Sequence, residues 1–263
     1  MPGRPMPSWA ASSVPKPSPF GAVEAAMPLP SEMTAAVLHA PGDLRVERVP
    51  VPEPAEGQVL IRVGACGVCG SDVPRVMTKG TYSFPLIPGH EFAGTIAAVG
   101  PRVRGWREGD RVAVFPLIPC NRCEPCAMRW YEMCESYDYL GSRCNGAFAE
   151  YVAAPAWNLL KLPKGVSLEC AAMTEPAAVA RHGLERVGVV PEDTVAIFGA
   201  GPIGIMLAQW AAAMGASPVF LTDVRTDKID AARRATTATC LDAIQADVIA
   251  EIRRLTEGAG VDL

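Results

Sequence analysis

The order of apolar and polar residues divides the chain into three textures. From Met33 to about residue 160, short apolar runs alternate with Gly/Pro turns. Thr34–His39 is such a run, Pro41-Gly42-Asp43 a turn, and Leu44–Val49 an alternating strand. Pro50, Pro52 and Pro54 keep the next stretch extended. Val59–Val63 is a further strand, leading into the small-residue stretch Gly64–Gly70, where backbone can approach other groups closely. Phe92–Val99 and Arg111–Phe115 read as strands separated by the Gly100–Gly109 turn region, and Gly146–Ala153 returns to strand. Many short strands with Gly/Pro turns predict a β-rich, barrel-like unit. Leu168–Leu184 is rich in Ala, Met and Leu and predicts a helix, which Pro176 should end or kink.

After Pro191 the pattern becomes α/β. Thr194–Phe198 is a buried strand, Gly199–Gly204 a glycine turn, and Ile203–Met214 a helix. Val219–Thr222 is a second strand ending at Asp223. Lys228–Arg234 and Asp247–Leu255 are helices, and Gly260–Leu263 would start a third strand. The expected fold class is therefore β plus α/β. The expected divisions are residues 1–32, 33–185 and 186–263. Residues 1–32 carry eight prolines and no helical or strand period, which predicts disorder. A targeting peptide is the competing reading, but the segment lacks an apolar core and has few basic residues. Met33 as the working start is a third. Only one of the two βαβαβ halves of a doubly wound fold is expected, so the chain reads as cut short at its C-terminus.

Composition narrows the classes. With 24 basic and 28 acidic residues the net charge is −4, which argues against a general nucleic-acid or anionic-membrane surface. No apolar run reaches the length of a membrane span. The nine cysteines are odd in number and four of them cluster, so they do not form a disulfide framework; a reducing cytoplasm is expected.

The chemistry concentrates in three places. Gly67-Val68-Cys69-Gly70-Ser71-Asp72 and Gly89-His90-Glu91 supply a thiolate, an imidazole and a carboxylate, the types used by a catalytic zinc with one open position. Cys120-x2-Cys123-x2-Cys126-x7-Cys134 supplies four thiolates within fifteen residues, which suits a closed structural zinc. A nucleic-acid zinc ribbon is excluded, because Arg122 and Arg129 are outnumbered by Glu124, Glu132, Glu135 and Asp138. Gly199-x-Gly201-Pro202-Ile203-Gly204 follows a strand, opens a helix and precedes an acidic strand end at Asp223. That context makes it a dinucleotide pyrophosphate site. Asp223 should accept from the adenosine ribose and favour NAD over NADP, and Arg225 keeps NADP as the minor alternative.

These motifs, in this order, resemble the zinc-containing medium-chain alcohol and polyol dehydrogenases. Gly146–Tyr151 and Glu175-Pro176 extend the likeness, which runs from about Met33 to the end of the chain. Tyr137–Arg143 and Ser71–Arg75 are most similar to the sorbitol and galactitol-1-phosphate dehydrogenase branch. The resemblance implies a GroES-like β-barrel catalytic domain followed by an incomplete Rossmann domain. It implies one catalytic and one structural Zn2+, NAD as cofactor, and a small polyol as substrate. It also implies a homodimer or homotetramer for a full-length chain. The polyol branch uses a carboxylate where alcohol dehydrogenases use a second cysteine, so Cys69 and His90 are joined by either Glu91 or Glu175. Glu91 adjoins His90, so both can approach one metal only if the backbone bends there. Ser71 would begin the proton relay that accompanies hydride transfer. Many relatives place a histidine five residues after the cysteine, where this chain has Pro74, so the later relay departs from the family pattern. A sorbitol, threonine or butanediol dehydrogenase of the same family, and a zinc-binding fragment without activity, are the alternatives. A zinc-free quinone reductase on the same scaffold conflicts with Cys69, His90 and the four-cysteine lobe.

Overall fold

A computed structural model describes residues 29–263. The disorder expected for residues 1–32 falls, as far as residue 28, outside the described residues.

The β-rich part begins with the hairpin β1 (Glu32–Ala40) and β2 (Asp43–Pro50), turned at Pro41–Gly42. Next come β3 (Gln58–Gly67), a single helical turn α1 (Asp72–Pro74), and a π-helical turn Arg75–Lys79. β4 (Glu91–Val99), β5 (Arg111–Val114) and the short β6 (Leu117–Ile118) lead into a lobe with α2 (Glu124–Ala127) and β7 (Asp138–Tyr139). β8 (Tyr151–Pro155) and β9 (Leu159–Lys161) close a five-stranded antiparallel sheet of order β8-β3-β4-β5-β9. The first four residues of β4 are all buried, because the sheet is covered twice. Val59, Ile61, Phe92, Ile96 and Val112 pack on one side. Ala93 and Ala113 meet Ala171 and Ala172 of α3 (Leu168–Ala172) on the other. Helix and sheet come close enough that a Cβ on Gly64 would overlap Leu168. The small-residue stretch is therefore the end of a strand that must admit a helix.

The helix expected over Leu168–Leu184 is two helices, and the break is not at the proline. α3 ends at Ala172, and a single residue, Met173, caps it before α4 (Thr174–Val187) starts. Pro176 sits in the first turn of α4, where an amide has no intrahelical acceptor and its loss costs nothing.

The α/β part runs β10 (Val195–Phe198), α5 (Pro202–Ala213), β11 (Val219–Asp223), α6 (Thr226–Ala235), β12 (Thr239–Asp242) and α7 (Val248–Leu255). Its three strands are parallel in the order β10-β11-β12. The third strand is thus Thr239–Asp242, not the Gly260–Leu263 expected from the sequence. Four residues of Thr-Cys-Leu-Asp carry too little periodicity to announce a strand, and pairing with β11 makes them one. Gly260–Leu263 instead runs beside β10, where Ala196 N donates to Leu263 O at 2.8 Å and Asp262 N to Thr194 O at 2.9 Å. Leu221, Ile229 and Ala232 form the center of this core. The two parts join through α4 and α5, where the Trp210 indole donates to Ala177 O at 3.0 Å. The fold is a GroES-like β unit plus one βαβαβ unit. Among the described residues no helix is long and apolar enough to cross a membrane.

Ile229 is fully buried, so Ile229→Ala should cost about 2–5 kcal/mol of stability. Ile249 is 69% exposed, and Ile249→Ala should stay within about 0.5 kcal/mol. Denaturant titration of both variants checks the contrast; equal losses would mean that the α/β core is not packed on Ile229.

Candidate metal and dinucleotide sites

The first site is built from two turns. Cys69 and Asp72 close one: Asp72 N donates to Cys69 O at 2.9 Å, and Cys69 N donates back to Asp72 Oδ2 at 2.9 Å. Ser71 N lies 3.5 Å from Cys69 Sγ and points its N–H at it. The other turn is Gly89, held at φ +96°. Only glycine takes this conformation without strain. A Cβ there would also press on Phe148 and on Cys66 Sγ. Gly141 and Gly146 pack so tightly on the Gly89 backbone that a Cβ on either would overlap Gly89 O. Gly146 N, Ala147 N and Phe148 N donate to Ile87 O, Gly89 O and Pro88 O at 2.7–2.9 Å. These contacts are why the strand expected over Gly146–Ala153 begins only at Tyr151; its first residues serve the Gly89 turn instead.

This bend brings neighbours to one center. Ligand atoms of Cys69, His90 and Glu91 all lie within 4.8 Å of one another. Room for the Glu91 carboxylate exists because Gly67 has no side chain to overlap it. Glu175 stands outside this trio, accepting from Tyr139 Oη at 3.2 Å. Burial pushes the Glu175 carboxyl up, with His90 opposing and Glu91 adding to the rise. Burial, and then Glu175, push the Tyr139 phenol up as well. Ser71 is exposed and lines the adjoining cavity together with His90 and Tyr139.

Asp72, which sequence reasoning passed over, is the residue behind the trio. It is 2% exposed. Its Oδ1 accepts from Arg75 Nη1 at 2.5 Å and lies 3.5 Å from His90 Nδ1. Burial opposes its ionisation, but His90, the Cys69 N–H and Arg75 outweigh that and hold its carboxyl below the usual range. His90 Nδ1 is buried and makes no hydrogen bond of ordinary geometry. A metal fits this arrangement. With Asp72 on the Nδ1 side, Nε2 is left as the donor, and a ligating imidazole of this kind turns its remaining N–H toward a carboxylate. The signal available in the sequence was the Cys-x-x-Asp spacing, which lets one turn deliver both groups.

The four-cysteine lobe gathers as its spacing predicts. The sulfurs of Cys120, Cys123, Cys126 and Cys134 lie within 4.8 Å of one another, with Cys123 and Cys134 at 3.9 Å. Cys120 N donates to Cys134 Sγ at 3.2 Å. The Arg122 N–H draws the Cys120 thiol down to about 6, while burial pushes Cys126 up to about 12. Four sulfurs with amide donors aimed at them suit a tetrahedral zinc.

At the third place, Gly199 takes φ +102° between β10 and α5. A Cβ on Gly204 would overlap Gly199 O, so helix and strand meet only through glycine there. Gly201 is the N-cap and faces open space, and Pro202 and Ile203 begin α5 with no acceptor spent on their turn. Asp223 Oδ2 accepts from Ala200 N at 2.8 Å and Oδ1 from Arg225 N at 2.9 Å. The Ala200 N–H is the main reason its carboxyl sits below the usual range. Arg225 is exposed and bound in a fork to Asp227 at 2.7 and 3.0 Å.

The comparisons agree with this architecture. Residues 55–164 match the alcohol dehydrogenase GroES-like domain, and residues 202–263 the zinc-binding dehydrogenase family. The sorbitol dehydrogenase of Bacillus subtilis is 36% identical over 89% of this chain and 68% of its own length. The galactitol 1-phosphate 5-dehydrogenase of Escherichia coli K12 is 37% identical over 76% of this chain and 58% of its own. The crystal structure of galactitol-1-phosphate dehydrogenase from Escherichia coli superposes with a TM-score of 0.78 at 33% identity, covering 86% of this chain and 65% of that one. A GroES-like β unit joined to a dinucleotide-type βαβαβ unit defines a medium-chain dehydrogenase. The chain belongs to the zinc-type alcohol and polyol dehydrogenases of that class. It spans about three-fifths to two-thirds of the length of these relatives.

If Asp72 orients His90, Asp72→Asn should weaken zinc at the Cys69 site by about 10–100-fold and leave the four-cysteine site unchanged. Competition with a chromophoric chelator measures both. Equal affinity in the variant would remove Asp72 from the metal center.

Proposed function

We propose that this chain carries the catalytic region of an oxidoreductase that transfers a hydride from a secondary alcohol of a polyol or polyol phosphate to NAD. The observation that supports it most is the trio Cys69, His90 and Glu91, gathered within 4.8 Å beside a cavity that Ser71, His90 and Tyr139 line. Cys69, His90 and Glu91 are the proposed catalytic zinc ligands. The bend at Gly89 favours Glu91 over Glu175, which is engaged by Tyr139. Zinc held there supplies a Lewis acid to the substrate hydroxyl, and NAD supplies the hydride acceptor.

The remaining work belongs to the chain. Asp72 keeps His90 oriented, and Arg75 pairs with the Asp72 carboxylate from the other side. Ser71, exposed at the cavity wall, is positioned to receive the hydroxyl proton. Glu175, the alternative carboxylate, stands behind Tyr139, from whose hydroxyl it accepts at 3.2 Å. Cys120, Cys123, Cys126 and Cys134 hold a second, structural zinc with no open position. Gly199, Gly201, Pro202, Ile203 and Gly204 take the pyrophosphate at the start of α5, and Asp223 the adenosine ribose. The engagement of Arg225 with Asp227 supports NAD over NADP, since that guanidinium is already occupied. Residues 33–185 are the proposed catalytic unit and residues 186–263 the partial Rossmann unit. A cytoplasmic location, and a homodimer or homotetramer for a full-length chain, belong to the same reading.

Zinc content with and without the cysteine tests this proposal. The purified chain should hold about two zincs, and Cys69→Ser about one, without turnover of any polyol. Full NAD-dependent polyol oxidation by Cys69→Ser would overturn the assignment.

A further inference from the structure

Tyr139 touches both the trio and the carboxylate left out of it. Its ring meets the His90 imidazole edge-on, with centroids 5.8 Å apart, and its hydroxyl donates to Glu175 Oε1 at 3.2 Å. Each end of that contact is fixed. Tyr139 closes β7, where it pairs with Leu117 of β6, and the amides of Ser142, Arg143 and Cys144 all donate to its carbonyl at 2.9–3.2 Å. Glu175 stands in the first turn of α4, beside Pro176. The four cysteines lie between β6 and β7. The lobe that closes on its own metal therefore carries Tyr139 to the other one.

A zinc with three protein ligands and one open position can take a further carboxylate, since its shell expands from four to five. Glu175 is the candidate for that place. It is half-buried, and His90 and Glu91 both act on its carboxyl, so it stands within electrostatic reach of the trio. Among the described residues it forms no ion pair, and Tyr139 is the hydrogen-bond partner of its side chain. A half-buried carboxylate without a partner gains by turning to a nearby cation. A carboxylate that already accepts from a phenol must give up that bond to do so, and gains less. The phenol and the metal thus compete for one carboxylate, and the rigid placement of Tyr139 favours the phenol.

We infer that Tyr139 is a positioning residue: its hydroxyl holds Glu175 away from the metal and so keeps the fourth position of the Cys69 site free for the substrate hydroxyl. This rests on the zinc dehydrogenase reading above and concerns how that site is kept open. The hydroxyl acts through Glu175, whereas the ring backs His90. Phenylalanine at this position removes the first effect and retains the second.

Co2+ at the Cys69 site, with zinc retained by the four cysteines, reports this without turnover. Its visible absorption is intense with four ligands and weak with five. The wild-type chain should show the intense bands, and Tyr139→Phe should lose most of their intensity as Glu175 joins the metal. Imidazole, which must enter through the fourth position, should bind Tyr139→Phe about ten-fold more weakly than wild type, followed by the shift of the same bands. Tyr139→Phe combined with Glu175→Gln should restore both the intensity and the imidazole affinity, which a merely structural role of Tyr139 would not do. Wild-type bands and affinity in Tyr139→Phe overturn the inference, and so do losses that persist in the double variant. A weak five-ligand spectrum in the wild type, or a Tyr139→Phe chain that takes up no cobalt, overturns it as well; each of these outcomes leaves the dehydrogenase reading intact. Failure of the wild-type chain to take up cobalt at Cys69 contradicts that reading and the inference together.

Discussion

The metal trio depends on one close backbone contact. At Gly89 the chain turns with positive φ, and two further glycines, Gly141 and Gly146, let a neighbouring segment lie directly on it. Along an extended strand, successive side chains point to opposite faces, so His90 and Glu91 would diverge. The turn ends immediately before β4, which frees His90 from the strand's alternation and lets both residues face Cys69. The amide donors of Gly146, Ala147 and Phe148 hold the bend in place. A side chain at any of the three glycines would push these segments apart and, with them, the ligand atoms.

That constraint concentrates charge where water is scarce. Asp72, His90 and Glu91 are all buried. Buried ionisable groups are costly unless paired, and here the pairing is sequential. Arg75 answers Asp72, Asp72 answers His90, and a divalent cation would answer Cys69 and Glu91 together.

Most of the gathering of candidate ligand side chains was legible from spacing, because these residues come from short local turns. The four cysteines within fifteen residues and the glycine turn before α5 are of that kind. So were β2, β4, β5 and β11, whose apolar runs are bounded by Gly, Pro or Asp. What spacing could not show was set by distant partners. Spacing left Glu91 and Glu175 as alternatives, and it is the bend at Gly89 and the engagement of Glu175 by Tyr139 that favour Glu91 in the proposed ligand set. Thr239–Asp242 became a strand only through β11. Pro176 looked like a helix breaker because its place in the first turn of α4 depends on where α3 stops. The stacking of Arg143 between Tyr82 and Tyr137 joins residues 55 apart and leaves no trace in composition.

Zinc K-edge X-ray absorption of the purified protein tests the central claim most directly. With the four-cysteine site retained and Cys69 present, the spectrum should resolve two environments. One should be all sulfur, and the other a single sulfur with nitrogen and oxygen donors. Glu91→Gln should alter the oxygen shell of the mixed site, and Glu175→Gln should leave it unchanged. An all-sulfur spectrum, or an oxygen shell that follows Glu175 instead of Glu91, would contradict the account of how the bend at Gly89 builds this center.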